Sequence, residues 1–118
     1  PLLRTPVRQR IRIRQADLPP DATLRAGESA LATLSDLTEP PEPVLAVASR
    51  HWPKGPETPP AIPTPDTGTC VVELWRYPPD ATATHGRVDP LSLYLSLKDA
   101  KDERLQLALE RLMEQVAW

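Results

Sequence analysis

The sequence predicts a single α+β domain, in which a small sheet of about three strands is covered by about three helices. Three observations predict this fold class. An alternating apolar and polar run near the N-terminus has the period of a strand. Two short apolar runs lie between prolines, and the C-terminal third has apolar residues at the three- and four-residue spacing of helices. The length of 118 residues fits one domain, 1–118, which contains a Pro-rich loop over 53–66.

The composition is that of a folded chain without a membrane segment. Hydrophobic residues make up 40% and charged residues 25%, so the sixteen prolines are expected between elements. No apolar run reaches the roughly 18 residues of a membrane helix, and no signal peptide is visible. Together with a single cysteine, Cys70, this predicts a cytoplasmic protein without disulfides. The start at Pro1 predicts that the chain is the C-terminal part of a longer protein.

The first predicted strand covers residues 7–15. Its alternation places Val7, Ile11 and Ile13 on one face. The other face would carry four arginines: Arg8, Arg10, Arg12 and Arg14. Because these arginines precede the first acidic residue of the chain, an anionic partner would prefer this end of the molecule.

A helix and a buried strand follow. Apolar residues at helical spacing predict a helix over 27–37, with Gly27 as its N-cap. A short apolar run between prolines predicts a buried strand over 44–49. The prolines of 53–66 exclude a hydrogen-bonded element there and predict an extended loop.

The C-terminal half predicts one more strand and two helices. Residues 70–77 are rich in β-branched and aromatic residues, which favours a strand. Asp89 followed by Pro90 is an N-cap signal for a largely enclosed helix. Asp99 or Asp102 would cap the last helix. Its apolar stripe would consist of Leu105, Ala108, Leu109, Leu112, Met113 and Val116.

The residue patterns provide no catalytic or metal-binding motif. His51 and His85 lie in loop-like surroundings and lack the spacing of metal ligands. Nothing near Cys70 in the sequence lowers the pKa of a thiol, which favours a buried cysteine that acts as a small hydrophobe. Only four glycines are present, so neither a Walker loop nor a dinucleotide-binding fingerprint can be assembled. The sequence therefore predicts a non-enzyme with no metal and no cofactor.

Two sets of residues are candidates for binding. The arginine strand would offer phosphate contacts to a nucleic acid through Arg8, Arg10, Arg12 and Arg14. The alternative is a solvated face whose arginines pair with nearby acids and protect a sheet edge. Trp52 and Trp118 could anchor a partner protein, or equally could cover the core.

The order of several segments resembles a known family. The segments include Gly27-Glu28-Ser29-Ala30-Leu31 and Asp89-Pro90-Leu91-Ser92-Leu93-Tyr94-Leu95, separated by the two apolar strands and followed by a final helix. In this order they resemble the C-terminal domain of winged-helix transcriptional regulators related to the abortive-infection (AbiE) type IV antitoxins. The resemblance spans most of 24–116, and the Pro-rich insertion departs from it.

The resemblance implies a non-catalytic regulatory or protein-interaction module of a bacterial transcriptional regulator or antitoxin. The DNA-binding part would precede this chain, and a partner protein or toxin would be its contact. A homo-oligomer is compatible with this function. The alternative is a nucleic-acid-binding domain that acts through the arginine-rich strand 8–14.

Overall fold

A computed structural model describes residues 6–19, 24–35, 40–81, 83 and 86–115. Within these ranges the chain forms an α+β fold of four strands and three α-helices. In chain order these are β1 (Val7–Arg14), β2 (Leu24–Arg25), α1 (Gly27–Thr33), β3 (Val44–Ala48), β4 (Thr69–Trp75), α2 (Pro90–Leu97) and α3 (Glu103–Gln115). The predicted fold class is confirmed. The additional strand, β2, is only two residues long and therefore has no alternating pattern.

The four strands form one mixed sheet in the order β1-β4-β3-β2. Strand β4 pairs antiparallel with β1 and parallel with β3, while β2 pairs antiparallel with β3. Most side chains of β4 are buried on both faces of the sheet. This explains why the sequence of β4 is mostly apolar and does not alternate, with Glu73 as a buried charged exception.

The predicted alternation of β1 is wrong at its N-terminal end. The register with β4 shifts between Val7 and Gln9, so Arg8 is the extra residue of a β-bulge. Val7 therefore lies in the core that faces the helices, whereas Ile11 and Ile13 lie in the core on the opposite face. Since one extra residue reverses the face of each following side chain, a strict period of two could not place Val7 correctly.

The larger core lies between the sheet and the three helices. Asp89 caps α2, as predicted, by accepting a hydrogen bond from the backbone N–H of Ser92 at 3.0 Å. Asp102 performs this role for α3, because its carboxylate accepts from the backbone N–H of Arg104 at 2.9 Å. The predicted stripe of α3 is buried at Leu105, Ala108, Leu109 and Leu112. Val116 lies outside the described residues.

A second core covers the opposite face of the sheet. It consists of Ile13, Val47, Trp52, Cys70, Val72 and Leu74. The Pro-rich loop passes beside this core, where the backbone N–H of Ile62 donates to the carbonyl of Arg12 at 2.8 Å and covers part of the outer edge of β1. The expectation that this loop contains no hydrogen-bonded element is wrong, because residues Gly55–Glu57 form one 3-10 turn. A turn of this length needs a single backbone donor, so the flanking prolines permit it.

Helix α1 is shorter than predicted and starts differently. It covers Gly27–Thr33 instead of 27–37, and residues 36–39 lie outside the described ranges. The N-cap is Ala26, and Gly27 is the first helical residue with a φ of 51°. A Cβ atom at Gly27 would lie 3.0 Å from Val44 Cγ1 and 3.3 Å from Glu73 Oε2. Glycine is required here by its backbone conformation and by close packing.

The variant Gly27→Ala is expected to lower the free energy of unfolding by about 1–3 kcal/mol, since it adds both backbone strain and a steric contact. Gly55→Ala is the matched control, because Gly55 has a φ of 69° but open space around its Cβ position. Chemical denaturation of both variants separates the two costs. Equal losses for Gly27→Ala and Gly55→Ala would mean that close packing at Gly27 contributes nothing.

Candidate anion-binding cleft

The structure divides the four arginines of β1 into two pairs. Arg10 and Arg12 are held by carboxylates on the helix-covered side of the sheet. Arg8 and Arg14 are exposed and form no ion pair with a carboxylate in the described ranges. The four guanidinium groups therefore do not form one uniform basic face.

Arg10 forms an ion pair with a buried carboxylate. Its Nε lies 3.1 Å from Oε2 of Glu73, whose side chain is 1% exposed, while Arg10 itself is 48% exposed. The indole N–H of Trp75 donates to the other carboxylate oxygen at 3.1 Å. Burial raises the pKa of Glu73, and the nearby Arg10 charge opposes this rise. The pair fixes β1 against β4, because the two residues are direct neighbours in the register.

Arg12 is bound by Glu42, just before β3. Arg12 Nε donates to Glu42 Oε2 at 2.6 Å, and Arg12 Nη2 donates to Oε1 at 3.1 Å. The hydroxyl of Thr69 donates to the same carboxylate at 2.8 Å. The hydrogen bond from Arg12 lowers the pKa of Glu42 below its usual value.

The pair predicts a specific dependence of stability on pH. Because folding lowers the pKa of Glu42, this carboxylate stabilises the fold above its unfolded pKa, and the contribution is lost as the pH falls below about 4.5. The variant Glu42→Gln should cost about 1 kcal/mol at pH 7 and progressively less in acid. Urea denaturation of both proteins at pH 7 and pH 3 measures this difference. A constant difference between pH 7 and pH 3 would contradict the role of the Glu42 charge.

The exposed Arg8 lines a cleft on the other side of the sheet. The cleft has a volume of about 400 Å³ and collects three cationic side chains, those of Arg8, Arg50 and Lys54. Its remaining lining residues are Gln9, Ser49, Trp52 and Leu74. We call this set of seven residues the basic cleft.

Local structure brings the three cations together. Arg8 is at the bulge of β1, which moves it from the row of Arg10 and Arg12 to the cleft beside Gln9. Arg50 lies in the 3-10 turn Ser49–His51 that follows β3, and Lys54 precedes the 3-10 turn of the Pro-rich loop. Arg50 and Lys54 are close to each other in the chain, whereas Arg8 is distant from both, so the three cations meet only in the folded state.

The lining of the basic cleft carries positive charge only. None of its lining residues is acidic, and its three cations form no ion pair with a carboxylate in the described ranges. The guanidinium Nε of Arg50 donates to His51 Nε2 at 3.4 Å. The hydroxyl of Ser49 and the amide of Gln9 supply neutral hydrogen-bonding groups. Such a set can bind an anion through charge-assisted hydrogen bonds.

The other candidate residues have different positions. Trp52 is only 7% exposed and packs in the second core, so it covers the core and presents little surface to a partner protein. Trp118 and His85 lie outside the described residues. Burial raises the pKa of the Cys70 thiol to about 11. This supports the interpretation of Cys70 as a small hydrophobe, since the thiol form is the unreactive one.

The sequence patterns indicated only one member of the basic cleft as an anion-binding residue, Arg8. Arg50 and Lys54 were missed because each is a lone basic residue in an irregular segment. A usable signal was their spacing on either side of Trp52. Both cations lie two positions from Trp52, which is buried in the second core.

The described ranges contain neither a metal-binding cluster nor a membrane-spanning helix. No group of three or more histidine, cysteine or acidic side chains in these ranges could hold a metal ion. None of the described helices has the length and apolar character needed to cross a membrane. The resemblance to AbiE-related regulators stays a prediction, because no protein-family model, curated protein or solved structure matches the chain.

Proposed function

We propose that this domain is a non-catalytic regulatory module that binds a phosphate-bearing anion in the basic cleft. The observation that carries the proposal is the convergence of Arg8, Arg50 and Lys54 on one cleft whose described lining contains no acidic residue. The whole chain has 16 acidic residues against 14 lysines and arginines. Three cations that form no ion pair with a described carboxylate, gathered on one cleft of an acidic chain, favour a binding role over a purely solvated surface.

The charge of the basic cleft matches phosphate better than carboxylate. A phosphate monoester carries a charge of about −1.5 to −2 at pH 7 and has three strong acceptor oxygens. Arginine side chains bind such groups in a bidentate manner, and lysine adds a point charge. The serine hydroxyl of the cleft can donate one further hydrogen bond.

The place of this module in a bacterial transcriptional regulator or antitoxin is the second part of the proposal. It is supported by the residue patterns that resemble the AbiE-related family and by the small α+β architecture. In such a protein the ligand would act on a preceding DNA-binding part or on a partner protein. Repression measured with a protein in which a DNA-binding part precedes this domain, with and without Arg50→Ser, tests this step.

The alternative function, nucleic-acid binding through the strand 8–14, has less support. Two of its four arginines, Arg10 and Arg12, are already neutralised by Glu73 and Glu42. A phosphate backbone would have to compete with these carboxylates. Only Arg8 and Arg14 would be available to it, which is a small number of contacts for stable binding.

Titration with inorganic pyrophosphate tests the proposed function. We expect saturable binding that Arg50→Ser and Lys54→Ser each weaken about tenfold, because each removes one charge-assisted contact. Arg14→Ser is the matched control and should leave the affinity unchanged, since Arg14 is an exposed arginine of β1 outside the cleft. Binding should also weaken between about 50 and 200 mM salt. Undetectable binding, or equal affinities for all variants, would contradict the proposal.

A further inference from the structure

We infer that the ligand is a mononucleotide, whose phosphate occupies the basic cleft and whose base occupies an adjoining apolar trough. The inference rests on the proposed function, because it takes the basic cleft as the phosphate site. It adds the identity of the uncharged part of the ligand. The trough and its continuity with the basic cleft are the structural basis.

The trough lies between β1 and the Pro-rich loop and has a volume of about 410 Å³. It shares four lining residues with the basic cleft: Gln9, Trp52, Lys54 and Leu74. The other lining residues are Ile11, Ile13, Pro53, Gly55, Thr58, Pro59 and Ala61. The two cavities are therefore adjacent parts of one site, in which the cations lie at one end and apolar walls at the other.

Hydrogen bonds hold the loop wall of the trough in place. The hydroxyl of Thr58 donates to the carbonyl of Pro53 at 3.0 Å, and its backbone N–H donates to the carbonyl of Gly55 at 3.1 Å. Further along, the bond from the N–H of Ile62 to Arg12 ties the loop to β1. The trough is thus preformed, which reduces the entropic cost of binding.

The composition of the trough favours a base over an acyl chain. Proline rings and aliphatic side chains form its walls and can contact the flat faces of a heteroaromatic ring. Gln9 lies at the junction with the basic cleft, and its amide can both donate to and accept from a base edge. An acyl chain offers no partner for this amide. A carboxylate head group would also bring a single charge to three cations, whereas a phosphate brings nearly two.

The distribution of charge favours a mononucleotide over a single-stranded nucleic acid. A single-stranded nucleic acid would need further cationic side chains along its binding path, at the spacing of its successive phosphates. The next arginines of β1, Arg10 and Arg12, are paired with carboxylates. The free cations lining the site are limited to one compact cleft, which fits one phosphate-bearing group.

The test compares AMP, GMP, CMP and UMP with ribose 5-phosphate by calorimetric titration of the domain. We expect at least one of the four nucleotides to bind about tenfold more tightly than ribose 5-phosphate, since a base contacting the trough adds affinity. Arg8→Ser should weaken both kinds of ligand. Ala61→Leu, at an exposed wall of the trough, places an aliphatic side chain in the space proposed for the base, so it should reduce the advantage of the nucleotide and leave ribose 5-phosphate binding unchanged.

Amide and methyl resonances of the unmodified protein provide a second readout that needs no variant. The tightest-binding of the four nucleotides should shift the resonances of the Gln9 side-chain amide and of the Ile11 methyl groups, whereas ribose 5-phosphate should shift mainly the backbone amide resonances of Ser49 and Arg50. Equal affinities for ribose 5-phosphate and all four nucleotides would overturn the nucleotide inference and leave the proposed function intact. Tighter binding of octyl phosphate, or of a single-stranded oligonucleotide, than of any mononucleotide would overturn it as well. Absence of binding for every phosphate compound, pyrophosphate included, would overturn both.

Discussion

Replacing Leu109 with alanine is expected to lower the free energy of unfolding by about 2–5 kcal/mol. Leu109 is 1% exposed and lies in the core between the sheet and the helices. The substitution removes buried apolar surface and leaves a cavity among well-packed neighbours, and both effects destabilise. In a domain of this size such a loss is a large fraction of the total stability.

Leu107→Ala is the matched control for this experiment. Leu107 lies in the same helix, α3, but is 49% exposed. Its truncation should change stability by at most about 0.5 kcal/mol, because solvent already occupies much of its surroundings. Urea denaturation of both variants measures the difference. Similar losses at the two positions would mean that helix propensity rather than packing determines the contribution of α3.

The sequence predicted those elements that are marked by a pattern of neighbouring residues. Helix α3 has a regular apolar stripe, and α2 begins at the Asp89-Pro90 pair, so both were identified. The bulge at Arg8 could not be predicted, because it depends on the register between β1 and β4. Strand β2 was missed for a similar reason, since two residues carry no period and their pairing depends on β3.

The candidate site was predicted only in part. A row of arginines indicated an affinity for anions, yet the partners of Arg10 and Arg12 are 63 and 30 residues away in the chain. The basic cleft likewise combines residues from β1 and from the segment after β3. Contacts between residues so far apart in the chain depend on the order of the strands in the sheet. Patterns among neighbouring residues do not specify that order.

Removal of the Arg10 charge should also have a large effect. Arg10→Met keeps much of the aliphatic stem but leaves the buried carboxylate of Glu73 without its cation. The expected loss of stability at pH 7 is about 2–4 kcal/mol, somewhat less than for a fully buried pair because Arg10 is partly exposed. Arg14→Met, at an exposed arginine of the same strand, should change stability by at most about 0.5 kcal/mol.

The pH dependence of this loss identifies its cause. Burial already raises the pKa of Glu73, and without Arg10 only the hydrogen bond from Trp75 opposes that rise. A raised carboxyl pKa means that the folded state binds the proton more tightly, so the penalty is absent below the unfolded pKa and grows as the pH rises through the folded value. The cost of Arg10→Met should therefore shrink in acid, whereas a cost caused by lost packing alone would not depend on pH.

The double variant Arg10→Met/Glu73→Gln separates the effect of the buried Glu73 charge from the other contributions of the Arg10 side chain. Glutamine has nearly the shape of glutamate and its carbonyl can still accept from the indole N–H of Trp75, but it carries no buried charge. If an uncompensated carboxylate causes the loss, the double variant should be more stable than Arg10→Met alone at pH 7, and its stability relative to the unmodified protein should vary less with pH. Urea denaturation of the unmodified protein and the three variants at pH 4 and pH 7 measures these differences. A double variant no more stable than Arg10→Met at pH 7 would show that Arg10 stabilises the sheet through its stem and through its hydrogen bond to the carbonyl of Ser96 rather than through the charge of Glu73.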